Sequence, residues 1–305
     1  MSPAPLILFV YKRLDILKLT IENLQQNALS KDSELFIYSD AAKNKVDELQ
    51  INLVREYLTT ITGFKSIVII EAQHNMGLAK SIIAGVSDVL KTYDRAIVLE
   101  DDILSTPNFL QYMNDALTFY ENEKRVFSIC AYSNNLNIRP DYPYDVYFTK
   151  RGSSWGWATW KDRWLPIDWD VNDYGEFSKS FSKKMKFNAM GSDLSAMLKK
   201  RMEGRIDSWA IRWCYHQFKY NLFSVFPVKS KVHNIGFDAN ATNMYGYKLE
   251  ATAHDEILKS DFLFSDNVVI DEQIIKEFKK QYSIPTRIKN KLKFYFRTRI
   301  LKAGN

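Results

Sequence analysis

The sequence predicts an α/β fold, in which a mostly parallel sheet is flanked by helices. Two observations lead to this prediction. Within residues 6–119, short apolar runs typical of buried strands alternate with longer segments whose apolar residues recur at helical spacing. The chain has 305 residues, 46% of them hydrophobic and 26% charged, which is typical of a globular protein with one large domain or two small ones. Repeated strand–helix units of this size favour parallel strands joined by right-handed crossovers.

The first half of the chain contains four predicted strands with a helix after each. The strands are the apolar runs at residues 6–10, 35–38, 66–70 and 96–99. The second helix is marked by five apolar residues at helical spacing: Val46, Leu49, Leu53, Tyr57 and Ile61.

The second half of the chain is less regular. Its predicted elements are strands at 144–149 and 221–226 and helices at 192–202 and 207–220. A tryptophan-rich segment contains Trp155, Gly156 and Trp157. Glycines beside tryptophans in a loop suggest that the backbone approaches a ligand with an aromatic surface, which suits a sugar ring. The alternative is a tryptophan-rich corner of the core.

Three consecutive acids, Glu100, Asp101 and Asp102, directly follow the fourth predicted strand. Burying like charges this close together costs free energy unless a cation compensates. Carboxylate oxygens suit Mg²⁺ or Mn²⁺, which keep coordination positions open for substrate phosphates. Ligands also bind at the carboxyl ends of strands in open α/β sheets. We therefore expect Mn²⁺ or Mg²⁺ here, and the alternative is a solvated acidic turn.

Several other classes of protein are not indicated. The sequence has no G-x-G-x-x-G or G-x-x-x-x-G-K-[ST] pattern after the first strand, which argues against a dinucleotide site and a P-loop. Cys130 and Cys214 lie in apolar patterns and are expected in the core. No segment offers the ~20 unbroken apolar residues of a membrane span, and the first residues lack the pattern of a secretory signal. We therefore expect a cytoplasmic protein.

The positive charge is concentrated near the C-terminus. Residues 281–305 contain seven Lys or Arg and no acid, so the rest of this chain of net charge +6 is close to neutral. The apolar residues of this segment recur at helical spacing: Ile288, Leu292, Tyr295, Phe296 and Ile300. A basic amphipathic helix of this kind binds anionic membrane surfaces. One alternative is a solvated helix. Another is nucleic-acid binding, which is disfavoured because the rest of the chain is close to neutral.

Six motifs in this chain resemble those of glycosyltransferases with the GT-A fold. The similarity covers about residues 5–243 and extends to bacterial enzymes of glycosyltransferase family 2 and to N-acetylglucosaminyltransferase I and its relatives. The motifs are residues 9–13 (FVYKR), 39–40 (SD), 74–79 (HNMGLA), 100–102 (EDD), 155–157 (WGW) and 206–209 (IDSW).

The resemblance implies roles for residues in these motifs and beside them. The donor-binding residues would be Tyr11, Arg13, Asp40, His74, Asn75, Lys80, Glu100, Asp101, Trp155, Gly156 and Trp157. Asp102 would bind the metal, and Asp207 would be the catalytic base, kept ionised at the start of a helix. The alternative for Asp207 is a helix N-cap, and the rival bases are Asp168, Asp170 and Asp173.

Two of these roles concern the nucleotide directly. Arg13 would contact a phosphate, and Asp40 would accept a hydrogen bond from uracil N3–H; the alternatives are a surface arginine and a turn or cap residue. The late loop of relatives often contains Gly-Thr-His, whereas this chain has Ala241-Thr242-Asn243. This chain then either lacks the function of that histidine or replaces it with Asn243 or His233.

We expect a GT-A domain over residues 1–270, with a nucleotide-sugar half at about 1–130 and an acceptor half at about 131–270, and a basic amphipathic tail at 271–305. The expected activity is metal-dependent, inverting transfer of a hexosyl or N-acetylhexosaminyl group from a UDP-sugar. The expected acceptor is an oligosaccharide or a lipid-linked precursor of O-antigen or surface polysaccharide, on the inner face of the cytoplasmic membrane. The alternatives are a sugar-nucleotide nucleotidyltransferase, which would want a glycine-rich loop after the first strand, and an inactive sugar-binding module.

Overall fold

A computed structural model describes residues 2–236, 259–289 and Leu292. Within these residues the strands are β1 Leu6–Val10, β2 Glu34–Ser39, β3 Ser66–Glu71, β4 Arg95–Glu100, β5 Ile103–Ser105, β6 Val126–Cys130, β7 Val146–Thr149, β8 Trp157–Trp160, β9 Phe223–Pro227 and β10 Val232–Asn234. Eight of them form one sheet in the order β3-β2-β1-β4-β8-β6-β9-β7, and β5 and β10 form a separate antiparallel pair. The predicted α/β fold with a mostly parallel sheet is confirmed.

Helices cover both faces of the large sheet. The helices in the described residues are α1 Leu14–Gln25, α2 Lys45–Leu58, α3 Leu78–Thr92, α4 Phe109–Phe119, α5 Lys161–Trp164, α6 Tyr174–Lys179, α7 Phe181–Phe187, α8 Leu194–Met202, α9 Trp209–Lys219 and α10 Glu272–Gln281. Side chains of α1, α2 and α4 form the core on one face, and those of α3, α5 and α9 form the core on the other. A third apolar cluster packs side chains of the helices α6, α7, α8, α9 and α10 against the β7 end of the sheet.

The first strand contributes side chains to the apolar core on both faces of the sheet. Side chains alternate along a strand, so Leu6 and Leu8 enter one core cluster while Ile7 and Phe9 enter the other. β1 lies parallel to both β2 and β4, with Leu6 level with residues 35 and 97 of its neighbours. Because β3 is also parallel to β2, the carboxyl ends of these four strands meet at one edge of the sheet.

The two halves of the domain share this sheet. β8, from the second half, lies antiparallel between β4 and β6, so that Val98 of β4 is paired with Trp157 and Ile129 of β6 with Ala158. The apolar core therefore contains side chains from both of the ranges 1–130 and 131–270.

The second helix is present, but most of the apolar residues that mark it do not face the core. Three of them are exposed: Val46 (82%), Leu49 (69%) and Leu53 (44%). The helix packs instead through Ile51, Val54 and Leu58, which are at most 2% exposed. Both sets recur at helical spacing, so the apolar pattern alone does not choose between them.

Polar contacts at the start of α2 fix its rotation. Asn44 caps the helix by accepting hydrogen bonds from the backbone N–H groups of Val46 and Asp47. The Asp47 carboxylate points inward, where it accepts hydrogen bonds from Tyr11 Oη (3.0 Å) and Lys12 Nζ (2.7 Å). With Asp47 turned toward β1, the side of the helix that carries Val46 faces outward.

Elements of the second half begin two residues later than predicted. β7 begins at Val146, α8 at Leu194, α9 at Trp209 and β9 at Phe223. The preceding polar residues serve in caps and turns: Ser208 is the N-cap of α9. Turn chemistry of this kind is local, and the apolar pattern does not report it.

The segment assigned to the tail begins with a docked helix. Ile274, Ile275 and Phe278 of α10 are buried in the third apolar cluster. Residues 284–289 are also helical, and three residues spaced by four along this part of the chain, Ile284, Ile288 and Leu292, are each at least half exposed. Residues 293–305, with the rest of the predicted amphipathic helix, lie outside the described residues. Within the part of the chain that is described, no helix is long and apolar enough to cross a membrane.

The packing of α2 gives a test with a matched control. We expect Ile51→Ala to lower the free energy of unfolding by about 2–4 kcal/mol, because it leaves a cavity in the core. Leu49→Ala, two residues away on the exposed side, should change it by less than about 0.5 kcal/mol. Urea denaturation followed by circular dichroism measures both values. Equal losses for the two variants would contradict this rotation of the helix.

Candidate active site

The loops that follow β1, β2, β3 and β4 lie together at the carboxyl edge of the sheet, where ligands bind in open α/β folds. The predicted site residues in these loops are Tyr11, Arg13, Asp40, His74, Asn75, Asp101 and Asp102, and Glu100 is the last residue of β4. Hydrogen bonds connect the loops to one another. Tyr11 N–H donates to Asp101 Oδ2 (3.3 Å), and Asp40 N–H donates to Val10 O (3.3 Å).

Arg13 forms ion pairs with two of the three acids. Its Nη2 donates to Asp101 Oδ1 at 2.9 Å and to Asp102 Oδ2 at 2.7 Å. Burial opposes the charged form of Arg13, but the two carboxylates outweigh burial and raise the pKa of the guanidinium above its ordinary value. A fixed positive charge from the β1 loop therefore balances part of the acidic cluster after β4.

Burial disfavours the charged forms of Glu100 and Asp101. Burial raises the pKa of Glu100 to about 8, and the charges of Asp102 and Asp101 act in the same direction. Burial also raises the pKa of Asp101 to about 6, although Arg13 opposes this effect. One guanidinium thus compensates three adjacent acids incompletely, and further positive charge at this point would be favourable.

The donor set fits a cation that a bound ligand helps to coordinate. Within the described residues, no three His, Cys, Asp or Glu side chains converge as a metal site. Asp102 is the more accessible of the two paired acids, with a side chain 16% exposed against 8% for Asp101. Gly236 leaves room at its carboxylate, since a Cβ there would collide with Asp102 Oδ2. Mg²⁺ commonly binds one or two carboxylates together with substrate phosphates, and Asp102 meets that requirement.

The β1 loop is held from the opposite side by Asp47, a residue that the sequence did not single out. Asp47 accepts hydrogen bonds from Tyr11 Oη and Lys12 Nζ, and the N–H of Lys43 donates to the same Tyr11 hydroxyl. The only sequence signal was an acid in the first turn of a helix, which is common for reasons unrelated to function. Asp47 thereby fixes the backbone from which Arg13 extends.

Asp40 joins the β2 end to the loop between β3 and α3. Its Oδ1 accepts from the N–H groups of Ala41 and Met76, both at 2.9 Å, and its Oδ2 accepts from Gly77 N–H (2.9 Å) and Asn75 Nδ2 (3.1 Å). A carboxylate offers about four acceptor positions, so these four donors use them. A hydrogen bond from uracil N3–H would have to displace one of them, and the structure gives Asp40 a positioning role instead.

Asp207 lies beside this same loop. It is exposed, and within the described residues it makes no hydrogen bond or ion pair. A Cβ on Gly77 would lie 3.4 Å from Asp207 Oδ2, and Gly77 has φ +74°, a conformation that favours glycine. Ser208, whose Oγ accepts from Ile211 N–H, is the N-cap of α9. The alternative role of Asp207 as the helix cap is therefore excluded.

Two of the rival carboxylates are already engaged. Asp168 accepts four hydrogen bonds from its own loop, three from backbone N–H groups and one from a side-chain amide. Burial opposes ionisation of Asp168, but these bonds outweigh it and lower the pKa. Asp173 accepts from Tyr215 Oη (3.1 Å) and pairs with Lys219 (3.0 Å). Asp170 is the exposed member of the three.

Trp157 is a core residue, so its predicted place under the donor sugar is wrong. It is 1% exposed. Its ring centroid lies within 5.2 Å of the ring centroids of Trp164, Trp209 and Trp213. As a member of β8, it points into the layer between the sheet and α9. The alternative interpretation, a tryptophan-rich corner of the core, is correct for this side chain.

Trp155 and Gly156 lie closer to the edge of the sheet. Trp155 is partly buried and packs against the edge of Tyr132, with ring centroids 4.5 Å apart. Gly156 has φ +64°, and a Cβ there would meet Val232 and Ala131 at 3.1 and 3.2 Å. Strand packing therefore accounts for this glycine without a ligand.

The remaining predicted residues are at the surface or in structural contacts. His74 and Lys80 are exposed at the start of α3. Asn75 donates to Ala41 O (2.7 Å) as well as to Asp40, so it helps to shape the loop. His233 lies on β10, level with Leu104 of β5. Asn243 lies outside the described residues.

Comparison with known proteins gives structural similarity only. No family model and no curated protein matches the sequence. Matching structures include a mannosyltransferase from Pyrobaculum calidifontis in complex with GDP-Man and Mn²⁺ (12% identity, TM-score 0.39, covering 53% of this chain and 46% of that one). TarS from S. aureus also matches, at 15% identity and a TM-score of 0.30, covering 47% of this chain and 24% of that one. A nucleoside-diphosphate-sugar pyrophosphorylase from Vibrio cholerae matches at 10% identity and a TM-score of 0.41, covering 75% of this chain and 94% of that one. The chain spans less than half the length of the first two, and all three TM-scores are below 0.5, so function is inferred here from the residues of this chain.

Proposed function

We propose that this chain is a glycosyltransferase that moves a hexosyl or N-acetylhexosaminyl group from a UDP-sugar to a glycan acceptor with inversion, using Mn²⁺ or Mg²⁺. The observation that carries the proposal is the position of Asp207. An exposed carboxylate without a partner among the described residues lies beside the loop that Asp40 fixes, and that loop shares the sheet edge of Arg13 and Asp102. Sugar transfer needs a group that accepts the proton of the acceptor hydroxyl and positive charge that neutralises the leaving diphosphate.

Asp207 is the proposed base. It lies just before α9, whose N-terminal dipole favours the ionised form of a carboxylate. The absence of a partner in the described chain leaves its oxygens available to an acceptor hydroxyl. A single base that assists direct attack on the anomeric carbon gives inversion, so we propose an inverting enzyme.

The β1 and β4 loops are the proposed diphosphate site. Arg13 would donate charge-assisted hydrogen bonds to phosphate oxygens. Asp102, supported by Glu100 and Asp101, would hold a divalent cation, which when bound supplies Lewis-acid stabilisation of the leaving diphosphate. The hydrogen bond of Tyr11 connects the β1 loop to the β4 loop, and that of Asp40 connects the β2 loop to the loop before α3.

The acceptor side of the proposal rests on fewer observations. Trp155, edge-on to Tyr132 and partly exposed, offers an aromatic surface for a sugar ring. Ile284, Ile288 and Leu292 form an exposed apolar line at helical spacing ahead of a basic segment. This pattern supports peripheral binding to an anionic membrane, at its cytoplasmic face, with a lipid-linked glycan as acceptor.

Asp102→Ala tests the activity and its metal dependence. With a panel of nucleotide sugars and Mn²⁺, we expect the variant to lose turnover by about 10²-fold, since it removes the accessible acid of the cluster. Asp88→Asn, an exposed acid of α3 paired with Lys91, serves as the charge-matched control and should keep wild-type turnover. Equal turnover in wild type and Asp102→Ala contradicts the metal assignment. Binding without any turnover favours the inactive sugar-binding module, and release of pyrophosphate from a nucleotide and a sugar phosphate favours the nucleotidyltransferase.

Asp207→Asn tests the base. We expect UDP binding to remain nearly intact while transfer falls by about 10²-fold or more, because the amide cannot accept the proton. Glu203→Gln, four residues earlier and also exposed, makes the same change of charge and should transfer normally. Isothermal titration with UDP and a transfer assay measure the two effects. Retained transfer in Asp207→Asn would move the role to the carboxylates at 168–173.

A further inference from the structure

Arg13 bridges two acids through one nitrogen atom. Its Nη2 lies 2.9 Å from Asp101 Oδ1 and 2.7 Å from Asp102 Oδ2, and all three side chains are less than one-fifth exposed. The bridge spans two loops, since Arg13 follows β1 and the acids follow β4. Asp102, the more accessible of the two paired acids, therefore already has a cation of the chain as its partner.

The backbone that carries Arg13 is fixed, while its side chain has a route to move. Arg13 O accepts the N–H of Leu17 in the first turn of α1 (3.0 Å), and Tyr11 N–H is bonded to Asp101. Tyr11 Oη and Lys12 Nζ are bonded to Asp47 on the other side of the loop. Only the guanidinium end can then exchange partners while the loop keeps its shape.

A guanidinium and a divalent cation compete for the same carboxylate. Both need Asp102, and placing both on it without another anion brings two positive charges together. A diphosphate changes this balance, because phosphate oxygens form charge-assisted and bidentate hydrogen bonds with arginine and also coordinate Mg²⁺ or Mn²⁺. Arg13 can exchange a carboxylate for a phosphate without losing an anionic partner.

We propose that Arg13 is an internal counter-ion that occupies Asp102 until the diphosphate of the donor arrives, so that metal and nucleotide enter the site together. The inference rests on the proposed function, since it assumes that Asp102 receives the metal. It adds an order of binding: metal alone binds weakly, and nucleotide strengthens metal binding by drawing Arg13 away from Asp102. If the ion pair were purely structural, removing Arg13 would not change how much the nucleotide strengthens metal binding.

The test compares Mn²⁺ binding by wild type, Arg13→Gln and Lys12→Gln, with and without UDP. The electron paramagnetic resonance signal of free Mn²⁺ gives the dissociation constant without any activity measurement. Lys12→Gln is the matched control, because it removes one positive charge from the neighbouring residue, whose contact is to Asp47 and not to the β4 acids. Thermal melting confirms that each variant is folded, and Arg13→Lys provides a second variant if Arg13→Gln does not fold.

Without UDP, we expect Arg13→Gln to bind Mn²⁺ at least about tenfold more tightly than wild type does. This difference corresponds to the loss of a competing charged hydrogen bond. Lys12→Gln should differ from wild type by less than about threefold. UDP should increase the Mn²⁺ affinity of wild type about tenfold or more. The increase for Arg13→Gln should be clearly smaller. Arg13→Lys, which keeps the charge but lacks the planar fork, should lie between the two.

Other outcomes separate the inference from the proposed function. If Arg13→Gln binds Mn²⁺ no more tightly than wild type, or if Lys12→Gln gains as much as Arg13→Gln, the counter-ion role of Arg13 is overturned while the metal site stands. An Asp102→Ala variant shows whether Mn²⁺ binds at Asp102. If this variant binds Mn²⁺ as well as wild type does, even with UDP present, the metal site and the inference both fail.

Discussion

Three adjacent acids at the end of a buried strand are the constraint on which the site depends. Burial raises the pKa of both Glu100 and Asp101. Arg13 supplies a compensating charge from the neighbouring strand end. This pairing is available only because β1 and β4 are adjacent and parallel, so that their loops emerge side by side. The sheet order and the electrostatics of the site are thus linked.

A second set of contacts brings the proposed base to the same edge. Asp40 uses its four acceptor positions to fix the loop at residues 75–77, and that loop ends in Gly77, next to Asp207. The β2 end therefore acts on the proposed chemistry indirectly, by setting the position of a loop that the start of α9 approaches. The proposed site therefore combines residues from five separate segments of the sequence, and the hydrogen bonds and ion pairs among them cannot be predicted from the sequence.

The sequence was sufficient for the strands that build the edge and for the acids on it. Strands at 6–10, 35–38, 66–70 and 96–99 were predicted to within one residue at either end, because continuous apolar runs bounded by polar loops have few other structures. The fold class followed from their alternation with helices. Helix rotation did not follow, since α2 has two apolar stripes and a buried Asp47 decides between them.

Long-range contacts account for the other differences. Trp157 was expected at a ligand surface, and it is buried because β8 inserts between β4 and β6, a pairing that links residues about sixty apart along the chain. Asp40 and Arg13 lie at this edge, but their partners come from distant loops and could not be predicted from local sequence patterns. A glycine such as Gly236, next to Asp102, has no sequence signal of its own.

The most direct test of the central claim is anomalous diffraction at the manganese edge from crystals grown with UDP and Mn²⁺. We expect an anomalous peak at ligand distance from the Asp102 carboxylate and from the diphosphate, with the Arg13 guanidinium turned from Asp102 toward a phosphate. An absence of manganese at Asp102, with Arg13 still bonded to both acids and the nucleotide bound elsewhere or not at all, would contradict it.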